Sequence, residues 1–202
     1  MLSLSETKQI TAARAFEYAR VVQGWMRVEE LLWLHKLASS LKEGAHWVEV
    51  GCWKGRSYLM TGLGLPSGSE ISGIDPFQKC PVSNGQGEFD WPGDWVAGHF
   101  SLALGLLQGL RPDITTAYYP DRSCFQKWER SKLLDVVFID GSHETQAVVS
   151  DINYWRGRVK QDGFLCGHDR GHPQVREALR KCFGAGGWKE PKDTGSIWWV
   201  KL

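Results

Sequence analysis

At 202 residues, 42% of them hydrophobic, the chain is long enough for one well-cored domain and short for two. Its 24 basic and 23 acidic residues leave a net charge of +1, so no global field steers it to nucleic acid or to an anionic membrane surface. A small molecule is the partner class that remains. The polar start from Met1 to Ile10 does not resemble a secretory leader, and no apolar run approaches the roughly 20 residues of a membrane span, so the expected location is cytoplasmic. Five cysteines (Cys52, Cys80, Cys124, Cys166, Cys182), an odd number with no C-x-x-C pair, argue against a disulfide framework and a thiolate zinc site. Of the eleven tryptophans, most read as packing residues, while Trp91 and Trp95 are placed to wall a pocket.

Leu4 to about Val22 and Glu29 to about Leu41 read as two helices, the second with Leu31, Leu34, Leu37 and Leu41 at helical spacing. They precede a strand at His46 to Val50 and are expected to pack over the sheet or cap a site. A helix from Gly55 to about Gly64 and a strand from Glu70 to Ile74 complete one βαβ unit. Residues 76–94, rich in Gly, Pro, Asn and Asp, show no clear periodicity and read as a functional lid or a disordered segment. A helix from Trp95 to about Leu110, a strand near Ile114 to Tyr118 and a short helix near Ser123 to Arg130 come next. The unbroken Val136-Val137-Phe138-Ile139 run marks Leu134 to Ile139 as a strand buried on both faces of a parallel sheet. A helix from His143 to about Val159, a strand at Phe164 to Gly167, a helix at Pro173 to Cys182 and a last pair of segments near Gly187 to Lys189 and Ser196 to Lys201 follow.

This rhythm predicts an α/β fold: a doubly wound, mostly parallel sheet with helices on both faces, in one domain made of an N-terminal helical extension (residues 1–43) and a core (residues 44–202). Ligands of such sheets sit at the strands' carboxyl ends where the winding reverses. The turns at Gly51, Asp75, Asp140 and His168-Asp169 all fall on that edge.

Val48 to Ser57 is an apolar strand running into a glycine-punctuated turn and a helix. The dinucleotide fingerprint G-x-G-x-x-G would need glycines where Trp53 and Arg56 stand, which disfavours NAD. What stands instead is E-x-G-x-x-x-G. Gly51 and Gly55 let the backbone turn tightly and a ligand approach it closely. Glu49 would repel a pyrophosphate and hold a cationic amino group. S-adenosylmethionine carries such a group, and the pattern resembles motif I of the class I S-adenosylmethionine-dependent methyltransferases. Asp75, 24 residues after Gly51, stands about where a ribose-binding acid is expected, with two acceptor oxygens for the two hydroxyls; an Asp-Pro turn would also place an Asp there.

Farther along, Phe138-Ile139-Asp140-Gly141-Ser142-His143-Glu144, then Asp151 and Trp155, then Asp162 to Asp169, resemble the small-molecule methyltransferases grouped with cephalosporin hydroxylase and macrolide O-methyltransferase relatives. Together with Gly73-Ile74-Asp75-Pro76-Phe77 the likeness spans about residues 45–180. Asp162-Gly163 departs from that group's usual Gly-Gly turn. The resemblance implies a Rossmann-like core that binds S-adenosylmethionine through Glu49, Gly51, Trp53, Gly55, Ser57 and Asp75, with Arg122 and Ser123 on the adenine side. In the metal-dependent members, carboxylates after the fourth and fifth strands hold a divalent cation, which here falls on Asp140 and Asp169, with His168 where some members carry another acid. Such a mixed set suits Mg²⁺ poorly and Mn²⁺ or Fe²⁺ better. Without a metal, His143 or His168 can serve as general base, since imidazole titrates near neutral pH. His99 and His172 read as structural.

The function expected is in-line methyl transfer to an acceptor, oxygen first, poised over Asp140 and His143. The sulfonium is already a strong electrophile, so the protein mainly supplies proximity and orientation. Two rivals stay open: an oxidoreductase or hydroxylase on the same fold, and a non-catalytic module that binds an S-adenosyl ligand. The acceptor and the oligomeric state are not encoded, a homo-oligomer being one option.

Overall fold

The computed structural model describes residues 10–77, 80–83, 88–121 and 132–202. β1 (His46–Val50), β2 (Glu70–Ile74) and β6 (Leu134–Ile139) occupy the predicted strands; β6 is a nearly continuous apolar run, and β1 and β2 are short segments ended by the turns at Gly51 and Asp75-Pro76. With β5 (Thr115–Tyr119), β7 (Val159–Gly167) and β8 (Trp198–Lys201) they form one sheet in the order β5-β2-β1-β6-β7-β8. Five strands run parallel and β8 pairs antiparallel with β7. The chain winds outward from β1 through β2 to β5 and then returns to β6, on the other side of β1. The switch point therefore lies between β1 and β6.

The side-chain alternation of the strands decides which helices cover which face. On one face Trp47 of β1 and Val136 and Phe138 of β6 pack against α1 (Ala12–Ala19), α2 (Val28–Ser39), α3 (Arg56–Gly64) and α4 (Gly93–Leu110), through residues such as Ala15, Leu34, Leu59 and Leu107. On the other, Val48, Val137 and Ile139 meet Val148 and Ile152 of α5 (Thr145–Arg156) and Val175 and Leu179 of α6 (Pro173–Phe183). At eight residues α1 is shorter than the roughly 12 that an isolated helix needs, so it stands by burying Ala15 and Ala19. The N-terminal extension is thus part of the core of one face, stacked over α3.

Two expectations are corrected. Residues 76–94 do not lack regular structure: β3 (Cys80–Ser83) and β4 (Glu88–Trp91) pair antiparallel between β2 and α4, in strands too short to show a period. The helix predicted to reach Val159 ends at Arg156, and β7 begins at Val159 instead of Phe164. The pairing jumps from Leu134↔Val159 to Val136↔Phe164, with Asp162 at φ +67°, and this bulge hides the strand's first half from an alternation pattern. The helix expected near Ser123 to Arg130 lies outside the described residues, and near Lys189 a single bridge to Trp199 forms. Cys52 and Cys166 are buried free thiols and Cys182 is a partly buried one.

Candidate active site

The turn after β1 is held in shape by positive φ angles at Gly51 (+87°), Trp53 (+43°) and Gly55 (+83°). Gly51 passes so close to the end of β6 that a Cβ there would lie 2.2 Å from the Asp140 carbonyl oxygen. Gly55 donates its N–H to the Cys52 carbonyl at 2.7 Å and caps α3. The turned-over amides of Cys52 and Trp53 both donate to Asp75 Oδ2, at 2.9 and 2.7 Å, and the Phe77 amide donates to Oδ1 at 2.7 Å. Asp75 therefore braces the glycine turn from the end of β2. Three of about four acceptor positions on its carboxylate are engaged, so the open pair of oxygens expected for a ribose is not what this geometry presents. Burial raises the Asp75 pKa, and the three amides partly offset that.

Glu49 lies beneath the turn, wholly buried, with Ser57 Oγ donating to Oε1 at 2.7 Å. Its Oε2 has no hydrogen-bond partner among the described residues. Burial, joined by the charges of Asp140 and Asp75, pushes its pKa well above the usual carboxylate range against the opposing Ser57 bond. The protonated form of Glu49 is thus favoured relative to an exposed carboxylate. Ser57 spends its hydroxyl on Glu49 and faces inward. The Trp53 ring stacks on Trp25 with centroids 5.8 Å apart, and the Lys54 ammonium lies over the rings of Trp53 and Trp95, at 4.4 and 3.6 Å. Trp95 meets Lys54 from the first turn of α4 instead of from a loop; the Trp91 side chain, and Arg122 and Ser123 altogether, lie outside the described residues.

The second half of the site stands at the ends of β6 and β7, over a shallow open depression lined in part by Ile139, Val148, Val175 and Trp198. At its rim His168 Nδ1 lies 3.2 Å from Asp169 Oδ1 and 3.5 Å from Asp140 Oδ1, while Nε2 lies 3.1 Å from Glu30 Oε2, off the ideal hydrogen-bond line. Burial presses the His168 pKa down, but the carboxylates of Asp140, Asp169 and Glu30 around the ring outweigh it and carry the pKa up to about 12. A ring held in its protonated form does not accept a proton, which counts against His168 of the two histidines offered as general base.

His143 shares Asp169 with His168. Its Nε2 meets Asp169 Oδ2 at 2.8 Å and its side chain is half exposed. The Asp169 bond raises its pKa above the ordinary imidazole value, with burial opposing. Asp169 itself, at φ +57°, is drawn well below the usual carboxylate range: burial would raise it, but His143 and His168 prevail. For Asp140 burial wins over the His168 bond and its pKa is raised. Asp140, His168 and Asp169 each bring one ligand atom within 4.8 Å of the others, a set that could hold a cation. Two further residues stand beside the cluster: Glu30 comes from α2 across the sheet end, and the His172 ring lies tilted with its centroid 4.9 Å from that of His143. His99 Nδ1 lies 2.8 Å from the Trp95 carbonyl oxygen within α4.

The strand order, the glycine turn after β1 and the acidic cluster after β6 and β7 define a class I methyltransferase fold. Residues 48–170, more than half of the chain, match the family model described as a methyltransferase domain, and the chain belongs to that family. Among solved structures it is similar to CalS11, described as a TDP-rhamnose 3'-O-methyltransferase of calicheamicin biosynthesis, at 13% identity and a TM-score of 0.64, covering 100% of this chain and 96% of that one. It is also similar to the O-methyltransferase TomG from Streptomyces achromogenes, solved with S-adenosylmethionine (14% identity, TM-score 0.61, 95% and 87% covered). A third is an O-methyltransferase from Bacillus cereus in complex with S-adenosylhomocysteine (12%, 0.57, 100% and 93%). No curated protein sequence matches the chain. Among the described residues no helix is long and apolar enough to cross a membrane.

Proposed function

We propose that this methyltransferase moves the methyl group of S-adenosylmethionine to a hydroxyl of a small-molecule acceptor. The observation that carries the reading is the contact between the two halves of the site: the Gly51 turn packs directly on Asp140, so a cofactor seated on the turn borders the Asp140, His143 and Asp169 cluster. The cofactors named with TomG and with the Bacillus cereus enzyme support it. So does the orphaned, buried Oε2 of Glu49, an acceptor that the cofactor's amino group would satisfy. Asp75 contributes by holding the Cys52 and Trp53 amides in the turn, and takes a ribose hydroxyl with its remaining acceptor position.

In the transfer a C–O bond forms as the C–S bond breaks, leaving S-adenosylhomocysteine, and the hydroxyl proton must leave. His143 takes that proton while Asp169 holds its ring and stabilises the imidazolium that results. The donor set of Asp140, His168 and Asp169 fits Mn²⁺ or Fe²⁺ better than Mg²⁺; such a cation would polarise the acceptor hydroxyl, and its binding would displace the His168 proton. Calorimetric titration tests the reading. S-adenosylmethionine and S-adenosylhomocysteine should bind and NAD should not, with a methylated ether as product on a panel of hydroxylated acceptors. Tight NAD binding without either S-adenosyl ligand would overturn it.

A further inference from the structure

We propose that Glu30, carried by the N-terminal extension, is a positioning residue for the transfer site: its carboxylate fixes the His168 ring so that Nδ1 faces Asp140 and Asp169. Glu30 is 2% exposed, and a carboxylate is buried that deeply at a large cost unless its oxygens are matched. Two of its contacts are local bracing, from the Arg27 amide at 2.8 Å and the Ser196 amide at 3.0 Å. Neither needs a buried acid, since helix ends are capped as readily in water. The third contact is an ion-pair approach, Oε2 to His168 Nε2 at 3.1 Å without hydrogen-bond alignment; it reaches the far end of β7 and is the one that burial serves.

The backbone of His168 is already clamped. Its N–H donates to the Ile139 carbonyl at 3.0 Å and its own carbonyl accepts from Trp198 Nε1 at 3.1 Å. Rotation of the ring is the freedom that remains, and Glu30 removes it. With Nε2 turned to Glu30, Nδ1 falls on Asp169 Oδ1, which leaves Asp169 Oδ2 for His143. A side chain on α2 thus sets the orientation of the proton acceptor through two intermediaries, and the seating of the N-terminal helices becomes a condition for an assembled site. The kinetic consequence rests on the methyl-transfer reading above; the geometric one does not.

The test compares wild type, Glu30→Gln, His168→Asn and the double variant, with ¹⁵N-imidazole NMR, binding and steady-state kinetics. Glu30→Gln should move the His168 ring nitrogen resonances and lower kcat on the order of tenfold or more, with acceptor KM and S-adenosylmethionine Kd within about twofold. In the His168→Asn background the same change should have no further effect on kcat. Unmoved His168 resonances in folded Glu30→Gln, or an equal kcat loss in the His168→Asn background, would make Glu30 only a helix brace. Should Glu30→Gln not fold, Glu30→Asp, which keeps the charge and retracts it by one methylene, is read in the same way. If wild type binds no S-adenosyl ligand, the methyl-transfer reading fails, and the NMR arm still decides the role of Glu30.

Discussion

Gly51 carries two constraints at once, a φ of +87° and a Cβ position 2.2 Å from the Asp140 carbonyl oxygen. Neither neighbour can yield, because the atom that a side chain would strike is backbone at the end of a central strand. Gly51→Ala should therefore cost about 1–3 kcal/mol or more, seen as a lower urea midpoint, and should abolish S-adenosylmethionine binding even where the protein still folds. His143 separates chemistry from binding. Its alanine variant should lose on the order of 10²-fold or more in kcat while cofactor affinity holds, because general-base catalysis contributes that much and the side-chain bond of the ring is to Asp169, not to the glycine turn's residues. Since a base must be unprotonated and the Asp169 bond raises the His143 pKa, wild-type kcat should climb as pH rises through a value above the usual 6.5. A pH profile that is flat from 6 to 9 for wild type would remove His143 from the mechanism.

At the level of elements, the sheet shows what sequence can and cannot carry. β6 was readable from the apolar run Val136 to Ile139 of a strand covered on both faces, and β1 and β2 from the turn residues that end them, Gly51 and Asp75-Pro76. The first half of β7 was not, since the bulge at Asp162 breaks the alternation, and neither was the β3-β4 hairpin, whose pairing is set by register between short segments and not by composition. The candidate site divides in the same way. Gly51, Asp75, Asp140 and Asp169 announce themselves by standing at strand ends, whereas Glu30 looks like an ordinary first-turn acid of α2 until the fold brings it 3.1 Å from His168, 138 positions later in the chain. The inward turn of Glu49 and the engaged oxygens of Asp75 were equally hidden, being matters of hydrogen-bond geometry. Because α2 belongs to the core of one face, Leu34→Ala, at a fully buried position, should destabilise by about 2–5 kcal/mol in denaturant titration. A loss under about 1 kcal/mol would mean that the extension packs more loosely than its burial implies.

For the molecule as a whole, the buried acid under the cofactor turn ties stability, pH and binding together. The Glu49 pKa is raised by burial and then by the nearby Asp140 and Asp75 charges, so the folded chain holds a proton that the unfolded chain releases above about pH 4.5. The stabilisation linked to that proton is fully present below the unfolded pKa and is lost as pH rises through the folded one, at up to about 1.4 kcal/mol per pH unit. Glu49→Gln keeps the shape and the Ser57 bond but cannot ionise. Its melting temperature relative to wild type should therefore rise steadily with pH above about 4.5, a gain in stability at neutral pH. The same variant should bind S-adenosylmethionine more weakly, because the cofactor's ammonium is matched by the ionised form. In wild type, forming that pair expels the Glu49 proton, so calorimetry in buffers of different ionisation enthalpy should record a proton released on binding and an affinity that increases with pH. Proton-neutral binding, together with a Glu49→Gln melting curve that runs parallel to wild type across pH, would show Glu49 to be only a structural brace beneath the turn.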